Sequence, residues 1–444
     1  MSNRISRREF LETSGKAALG VGLGLKVAQA LGTPAYAQTK TVAASEKIRV
    51  GFIGVGGMGN GNLNGFMEHP EVQVVAVSDV HQQRMEAAAK KIEDKYGRKP
   101  FMDKDFRKIL DRNDIDAVAI STPDHWHALP FIMACEAGKD VFCEKPISHD
   151  IVEAQSMLGA AKHYNRIVQI DTWQRSAPAF QDCIDFVRSG KMGKIAQCRA
   201  WMCGDAGIGK HPIIQPPAGL DWDLWLGPAP KVPYHDAIDP GTWRWYYDYG
   251  TGMAGDWGVH MIDIVLLGMN SWHPLEVASV GGKLRCAPDD DRTTPDTMLS
   301  IYKFPDFVMN WEVHVNGEGL DGGDNHGSEF IGENGRLSVS RNSIKWNPYI
   351  KDMPGPEHTN KGDNHIGNFL KNMKSRGKCT SDIETMAYTT IACHLANLSY
   401  QHGKSITWDG QKGVVVGDNK AMQCPAFHRE YRKPWKLPIY KWNA

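Results

Sequence analysis

The chain has 444 residues, 41% of them hydrophobic and 23% charged, a balance that excludes disordered, collagenous and disulfide-dense classes and suits a globular protein of two domains. With 51 basic and 51 acidic residues, charge gives no pull toward nucleic acid or an anionic membrane surface. Nine scattered cysteines form no CxxC pair, so neither a disulfide framework nor a zinc site is expected; most read as buried thiols, with room for one disulfide.

Residues 1–37 stand apart from the rest. They have a basic start, a mildly apolar middle and the small-residue site Ala35-Tyr36-Ala37 before Gln38. The pair Arg7-Arg8, followed by Phe10 and Leu11, resembles a twin-arginine export signal. The apolar part is short, glycine-rich and interrupted by Lys26, so a membrane anchor is disfavoured. Residues 1–37 are therefore expected to be a signal peptide and 38–46 a linker, with the mature protein periplasmic or otherwise exported and free of membrane spans. Removing the leader leaves 46 basic against 49 acidic residues.

Ile48 to Val55 is a short apolar run of the kind that forms a buried parallel strand. It leads into Gly54-Val55-Gly56-Gly57-Met58-Gly59, a GxGxxG, and the next apolar run, "VQVVAVSDV", carries Asp79 about twenty residues beyond the last glycine. Gly54 permits the tight turn, Gly56 lets the main chain approach a pyrophosphate, and Gly59 lets helix pack on strand. Gly57 and Met58 begin the helix whose free N–H groups meet the phosphates. Asp79 accepts hydrogen bonds from ribose hydroxyls and repels a 2′-phosphate, which favours NAD over NADP.

The alternation continues. "HQQRMEAAAKKIEDKYG" and "FRKILDRNDI" read as helices, "DAVAIST" as a strand, "PDHWHALPFIMACEAG" as loop and helix, and "KDVFCEKP" as the next strand. Such alternation gives a doubly wound parallel sheet, an α/β Rossmann domain expected over 47–170. Ligands of these sheets sit at the carboxyl ends of the strands. Ser121, Thr122 and Pro123 are then expected beside the nicotinamide half, with His125 and His127 close by, although one of these histidines is expected only to cap its helix.

The order GxGxxG, Asp79, "TPDHWH", "EKP", and a later Asp256-x3-His260 resembles the Gfo/Idh/MocA oxidoreductase family, named for glucose–fructose oxidoreductase and inositol dehydrogenase. The resemblance spans nearly all of the chain after the leader. "AYTTIACHLANLSYQHGKSITWD" and "YRKPWKLP" resemble its exported bacterial branch. It implies a second α/β domain, over 171–444, built on a large, open, mostly antiparallel sheet that closes over the nicotinamide and pairs into dimers or tetramers. It implies that Lys145 is the catalytic lysine and that the bond into Pro146 is cis, turning the lysine into the cleft. Glu144 is expected on the cofactor side, holding Lys145 charged and oriented. Gln174 joins the expected cofactor contacts.

"GTGMAGDWGVHMIDIVLLGM" turns from a glycine-rich loop into an apolar helix. Asp256 and His260, four apart, are expected on one helix face, and Asp263 with them. An imidazole takes a proton from a sugar hydroxyl near neutral pH. Lys145 stabilises the charge developing on that oxygen, and Asp256 orients His260 or binds a hydroxyl. The chain is rich in aromatics here: Trp201, Trp222, Trp225, Trp243, Trp245, Tyr246, Tyr247, Tyr249 and Trp257. About half are expected under sugar faces and the rest in a core. Lys145, Arg175, Trp243, Arg244, Asp256 and His260 are the expected substrate contacts, with Asp205 and Lys210 as further candidates. "HVNGEGLDGGDNHGSEFIGENGRLSVS" reads as strand, loop and hairpin. His326 and His365 are isolated, and His365 opens a helix that resembles the family's substrate-side helix.

The leading expectation is an NAD-dependent oxidoreductase of a sugar, glycoside or cyclitol. An exported enzyme has no soluble NAD pool to draw on, so the cofactor is expected to stay bound and the redox cycle to close on the enzyme. The rival is a glycosidase that oxidises transiently, eliminates and reduces again. In that branch of the resembling family a tyrosine stands three residues before the histidine, whereas this chain has Trp257, preceded by Asp256. A binding protein with a dead site is disfavoured by Lys145, Asp256 and His260 occurring together.

Overall fold

The computed structural model describes residues 46–204, 207–238, 241–314, 323–359 and 361–442. The expected signal peptide, the linker up to residue 45, and Asp205 lie outside them. Six short strands, β1 (Ile48–Ile53), β2 (Val72–Ser78), β3 (Phe101–Met102), β4 (Ala117–Ile120), β5 (Asp140–Cys143) and β6 (Val168–Ile170), form a wholly parallel sheet in the order 3-2-1-4-5-6. β4 and β5 are buried along their whole length because helices cover both faces, which is why they read as unbroken apolar runs. The order reverses between β1 and β4, and a crevice opens there at the strand ends. One expected helix is shorter than its sequence suggests: Arg107–Leu110 makes a single turn and stops before Asn113 and Asp114, whose side chains favour turns.

Nine strands build the second sheet: β7 (Ile195–Cys203), β8 (Glu276–Gly282), β9 (Thr297–Lys303), β10 (Val308–His314), β11 (His326–Gly332), β12 (Gly335–Val339), β13 (Ile344–Pro348), β14 (Ile406–Asp409) and β15 (Val414–Val415). Their order is 13-12-11-7-10-9-8-14-15, antiparallel everywhere except between β7 and β10. β9 shows the two-residue period of a half-covered sheet: Met298, Ser300 and Tyr302 point into the core, and Leu299 and Ile301 point out. The apolar helix Gly258–Met269 lies on the inner face between β7, β11 and the helix Ile383–His402.

The late part of the chain returns to the first sheet. Phe369 and Leu370, on the helix His365–Ser375, lie in one core with Phe52, Phe66 and Phe142. Phe369 packs edge-on to Phe66 at 6.3 Å between ring centroids and lies 5.8 Å from Phe142. Tyr440 is fastened to the helix Ile151–His163 by its N–H, which donates to Ser156 Oγ at 2.9 Å. All nine cysteines are free thiols, seven of them buried. Among the described residues no helix is long and apolar enough to cross a membrane.

Candidate active site

β1 runs into Gly54, whose φ is +83°; a Cβ there would stand 2.8 Å from the Ser121 main chain. At Gly59 a Cβ would stand 2.2 Å from the Gly54 carbonyl oxygen, so only glycine lets the helix Gly57–Glu68 lie so close to the turn. Gly57 has nothing within 4 Å. That helix has no side-chain cap and no acidic residue in its first turn, so its N–H groups are available to a pyrophosphate. Asp79, at the end of β2, accepts the Val55 N–H at 2.9 Å on one oxygen and the His81 N–H at 2.8 Å on the other. Each oxygen keeps a second lone pair for a ribose hydroxyl. Burial pushes this carboxyl up, and the two N–H groups oppose the shift. These groups open into a cleft of about 340 Å³ that Gly54, Gly56, Gly57, Met58, Asp79, Ser121, Thr122, Pro123, Glu144 and Lys145 line. The shape and donor set fit a dinucleotide.

The histidines of "TPDHWH" do not reach the cleft. The helix Asp124–Glu136 begins at Asp124 and turns both rings inward. His125 is 1% exposed and its Nε2 lies 3.0 Å from the Trp225 carbonyl; burial brings its pKa down to about 3. His127 is wedged between the carbonyls of Pro146 and Thr122, each at 2.7 Å. Both were expected near the cofactor, one of them only as a cap of its helix; neither ring caps the helix, and the helix start sends Asp124 to the cleft instead. Asp124 lines the cleft, accepts the Thr251 hydroxyl at 3.1 Å, and is pushed up to about 8 by burial, with the charge of Asp256 adding to the effect.

Beyond β5 the peptide bond Lys145–Pro146 is cis. Lys145 Nζ donates to Asp256 Oδ1 at 2.7 Å and to the Asp256 carbonyl at 2.9 Å. That occupies two of its three hydrogens and leaves one for a ligand. Arg244 Nε donates to the same Oδ1 at 3.0 Å, and its guanidinium lies 4.4 Å from the Trp243 ring centroid. Burial would raise the Asp256 carboxyl, but the charges of Lys145 and Arg244 outweigh it and hold the group far below the usual carboxylate range. Glu144 does not grip the ammonium. Its Oε2 accepts the Lys145 main-chain N–H at 3.2 Å, its Oε1 accepts from Asn62 Nδ2 at 3.0 Å, and it shares a hydrogen bond with Asp171. Burial and the neighbouring charge of Asp171 push Glu144 up to about 8, and burial raises Asp171 as well, so the pair holds a proton at neutral pH. Asp256 orients the ammonium, and Glu144 fixes the main chain beneath it.

The expected single helix carrying Asp256 and His260 is broken at Trp257 into Gly252–Asp256 and Gly258–Met269. The His260 N–H donates to the Trp257 carbonyl at 3.0 Å, and the Asp256 carbonyl receives Lys145. His260 is 5% exposed, and its Nδ1 is sealed without a partner among the described residues. Burial, then the charges of Lys145 and Arg341, hold the imidazole well below its usual pKa, so it is neutral. Asp263 does not join this group. It pairs fork to fork with Arg175, at 2.7 and 2.6 Å, and Arg175 Nη1 donates to Thr385 Oγ1 at 2.8 Å. Arg175 was an expected substrate contact, but a carboxylate on the buried face of an apolar helix needs a counter-ion, and Arg175 supplies it. Gln174 is also drawn away from the cofactor: its Oε1 accepts Arg341 Nε and Nη2 at 3.1 and 3.0 Å.

Trp225, Trp243, Tyr246 and Tyr249 form a small core of their own, and Trp225 and Trp243 also line the cleft. Lys210 is exposed. His365 is tied at 2.9 Å to the Ile170 carbonyl and at 2.8 Å to Ser176 Oγ. Asp124, Asn62 and Arg341 are the site groups that sequence reasoning missed; only Asp124 lay inside a motif already singled out. Among the described residues no group of three or more His, Cys, Asp or Glu is arranged to hold a metal ion.

Two family models match. The oxidoreductase family's NAD-binding Rossmann fold matches residues 48–172, and the oxidoreductase family's C-terminal alpha/beta domain matches residues 194–437. The alpha-N-acetylgalactosaminidase of Shewanella oneidensis is 32% identical over 172 residues, 36% of this chain and 38% of that protein. The match thus spans well under half of that relative's length. An uncharacterized oxidoreductase of Bacillus subtilis, YrbE, is 30% identical over 149 residues, 34% of this chain and 42% of that protein. Among solved structures, the WlbA dehydrogenase of Chromobacterium violaceum in complex with NADH and UDP-GlcNAcA is similar with a TM-score of 0.65 at 16% identity, covering 84% of this chain and 99% of that one. Levoglucosan dehydrogenase in complex with NADH and levoglucosan gives 0.60 at 19%, covering 84% and 100%. At these identities the structural likeness is one of fold.

Proposed function

Since this chain belongs to the Gfo/Idh/MocA oxidoreductase family, we propose that it oxidises or reduces a hydroxyl-bearing carbon of a sugar, glycoside or cyclitol, with NAD held in the cleft. NAD supplies the acceptor or donor of hydride when bound. Gly54, Gly56, Gly57, Asp79 and Thr122 hold it; Thr122 Oγ1 is a buried hydroxyl still without a partner among the described residues. The observation that carries the reading is the double clamp of Asp256 on Lys145, which presents one ammonium hydrogen at the cleft wall, with the neutral imidazole of His260 near enough for the Lys145 charge to act on it. Lys145 would orient the substrate oxygen, and His260 would take the hydroxyl proton as the carbon gives up hydride; the charge of Asp256 favours the imidazolium that results.

A segment fastened at the Asp79 end of the cleft supports retention of the cofactor. The Gln82 N–H donates to the Gly219 carbonyl and the Asp221 N–H to the Val80 carbonyl, each at 2.9 Å; Gln83 Nε2 donates to the Ala218 carbonyl at 2.9 Å; and Lys104 meets Asp221 at 2.5 Å. These contacts strap the segment 218–222 beside Asp79. A bound, recycled NAD agrees with the export expected from Arg7 and Arg8, which cell fractionation of an Arg7→Lys/Arg8→Lys variant would test by retention in the cytoplasm. Val280, Leu299, Ile301 and Val308 expose an apolar stripe on the outer face of the second sheet, and a second copy of the chain is the proposed cover. Light scattering that finds a monomer at micromolar concentration would remove that proposal.

The functional test is to purify the protein, quantify co-purifying nicotinamide, and offer sugars and aryl glycosides. NADH that accumulates in proportion to enzyme, and cycles when a second carbonyl substrate is added, supports the oxidoreductase. The likeness to a glycosidase favours a second reading, redox-neutral hydrolysis. Release of an aryl aglycone with no net NADH would select it. Full activity of a Lys145→Ala variant would sink both.

A further inference from the structure

On the His260 side of the site stands an arginine that no motif contains. Arg341 lies in the turn between β12 and β13. Its guanidinium is sandwiched between two indoles, 4.4 Å from the Trp257 centroid and 4.9 Å from that of Trp173. Nε and Nη2 both donate to one neutral oxygen, Gln174 Oε1, and Nη1 has no partner among the described residues. Three other arginines around these cores are matched by carboxylates: Arg175 by Asp263, Arg244 by Asp256 and Arg429 by Glu153. Arg341 has no such partner among the described residues. It is nonetheless close enough to the reacting groups for its charge to act on His260 and for Asp256 to act on it.

The local charges are lopsided. Lys145 and Arg244 share the single carboxylate of Asp256, and Arg341 adds a third cation. Asp124 and Glu144, each with a pKa near 8, add little negative charge at neutral pH. A half-buried site with this excess draws anions. The stacked indoles fix the plane of the guanidinium, so its open edge is organised in advance for an oxyanion. Trp173 is 38% exposed, so the stack is open to solvent on one side.

We propose that Arg341 reads an oxyanion carried by the substrate, so that the sugar taken by this site is an anionic one. The chemistry is shared by the carboxylate of a uronic acid and by a sugar phosphate. This rests on the reading of the site as one that acts on sugars.

The experiment uses the full protein with its bound NAD. D-glucuronate, D-galacturonate and D-glucose 6-phosphate are titrated beside D-glucose and D-galactose. Indole fluorescence reports occupancy next to Trp173 and Trp257, and nicotinamide absorbance reports turnover. The expected result is binding of at least one anionic sugar about tenfold to a hundredfold tighter than its neutral counterpart, the range set by charge-assisted hydrogen bonds. The carboxylate and phosphate arms tell which anion fits. In Arg341→Gln the ratio of anionic to neutral binding falls to about one, while the NAD content of the purified protein is kept. Arg341→Lys keeps the charge without the fork and loses most of the discrimination; it serves if the glutamine variant does not fold. Equal or better binding of the neutral sugars, equal weakening of both classes in the variants, or no binding of any anionic sugar would each overturn the proposal. NADH formed from a neutral sugar, with no preference for its anionic counterpart, would sink this inference and leave the oxidoreductase standing. Arg341-dependent anion binding without any redox turnover would do the reverse.

Discussion

Replacing Asp256 by asparagine keeps the shape of the site and removes one charge. Asp256 Oδ1 receives Lys145 at 2.7 Å and Arg244 at 3.0 Å, and the Lys145 and Asp256 side chains are each 14% exposed. The variant leaves two cations facing one neutral amide. Breaking a buried pair costs about 3–5 kcal/mol; the residual exposure places this one at the lower end, about 3 kcal/mol. At an unfolding entropy of about 2.1 cal/mol/K per residue, a chain of this size loses about 3–4 °C in Tm. Catalysis should suffer more. The ammonium loses its anchor, and an electrostatic contact of this kind is worth about 10²–10³ in kcat. The assay pairs calorimetry with kcat and KM on enzyme whose NAD content has been measured. A folded, NAD-loaded D256N within about threefold of the parent in kcat/KM would refute the assignment of the Lys145 clamp to the chemistry.

Gly54→Ala should abolish NAD retention, because φ of +83° costs a side chain about 1–3 kcal/mol and its Cβ would meet Ser121 at 2.8 Å; equilibrium dialysis checks it. Arg175→Ala should cost about 3–5 kcal/mol in a denaturant titration, because it leaves the Asp263 carboxylate buried and unpaired, while the remaining folded fraction still binds NAD. The Glu144–Asp171 pair sets a pH trend. A carboxyl whose folded pKa is raised to about 8 binds a proton that the unfolded chain releases near its ordinary value, so its contribution is full below that value and is lost as pH rises toward 8. Buried neutral histidines such as His125 and His260 act with the opposite sign below about pH 6.5, so the signature is a difference: the unfolding free energy of the parent relative to Glu144→Gln should fall as pH rises from about 5 to 8, by at most about 1.4 kcal/mol per pH unit per proton. A difference between parent and Glu144→Gln that stays flat or rises over that range would contradict the shared proton.

Features set by neighbours in sequence were legible in advance. The GxGxxG, its strand and Asp79 act through local backbone geometry, and the parallel sheet follows from apolar runs alternating with helices, whereas the second sheet was expected from the family resemblance. What could not be read depends on partners far along the chain. Nothing near Trp257 announces a helix break; the carbonyl it releases is taken by a lysine 111 residues away. Arg175 looked free for substrate because its counter-ion lies 88 residues on. The histidines of "TPDHWH" drew attention for their chemistry, yet the position of the helix start decides that Asp124 faces the cleft. Arg341 had no signal at all, since its two tryptophans are separated from it by more than eighty residues.

Phe369 and Leu370 bear on how this molecule comes into being. They pack with Phe66 and Phe142 in the core beneath the cofactor half, yet they leave the ribosome after more than four-fifths of the chain has been made. A fragment that stops at the end of the parallel sheet would expose that apolar surface to water. The nucleotide-binding half is therefore no detachable module: it closes only after nearly the whole polypeptide is synthesised, and cutting the gene at the apparent domain boundary should yield an insoluble piece.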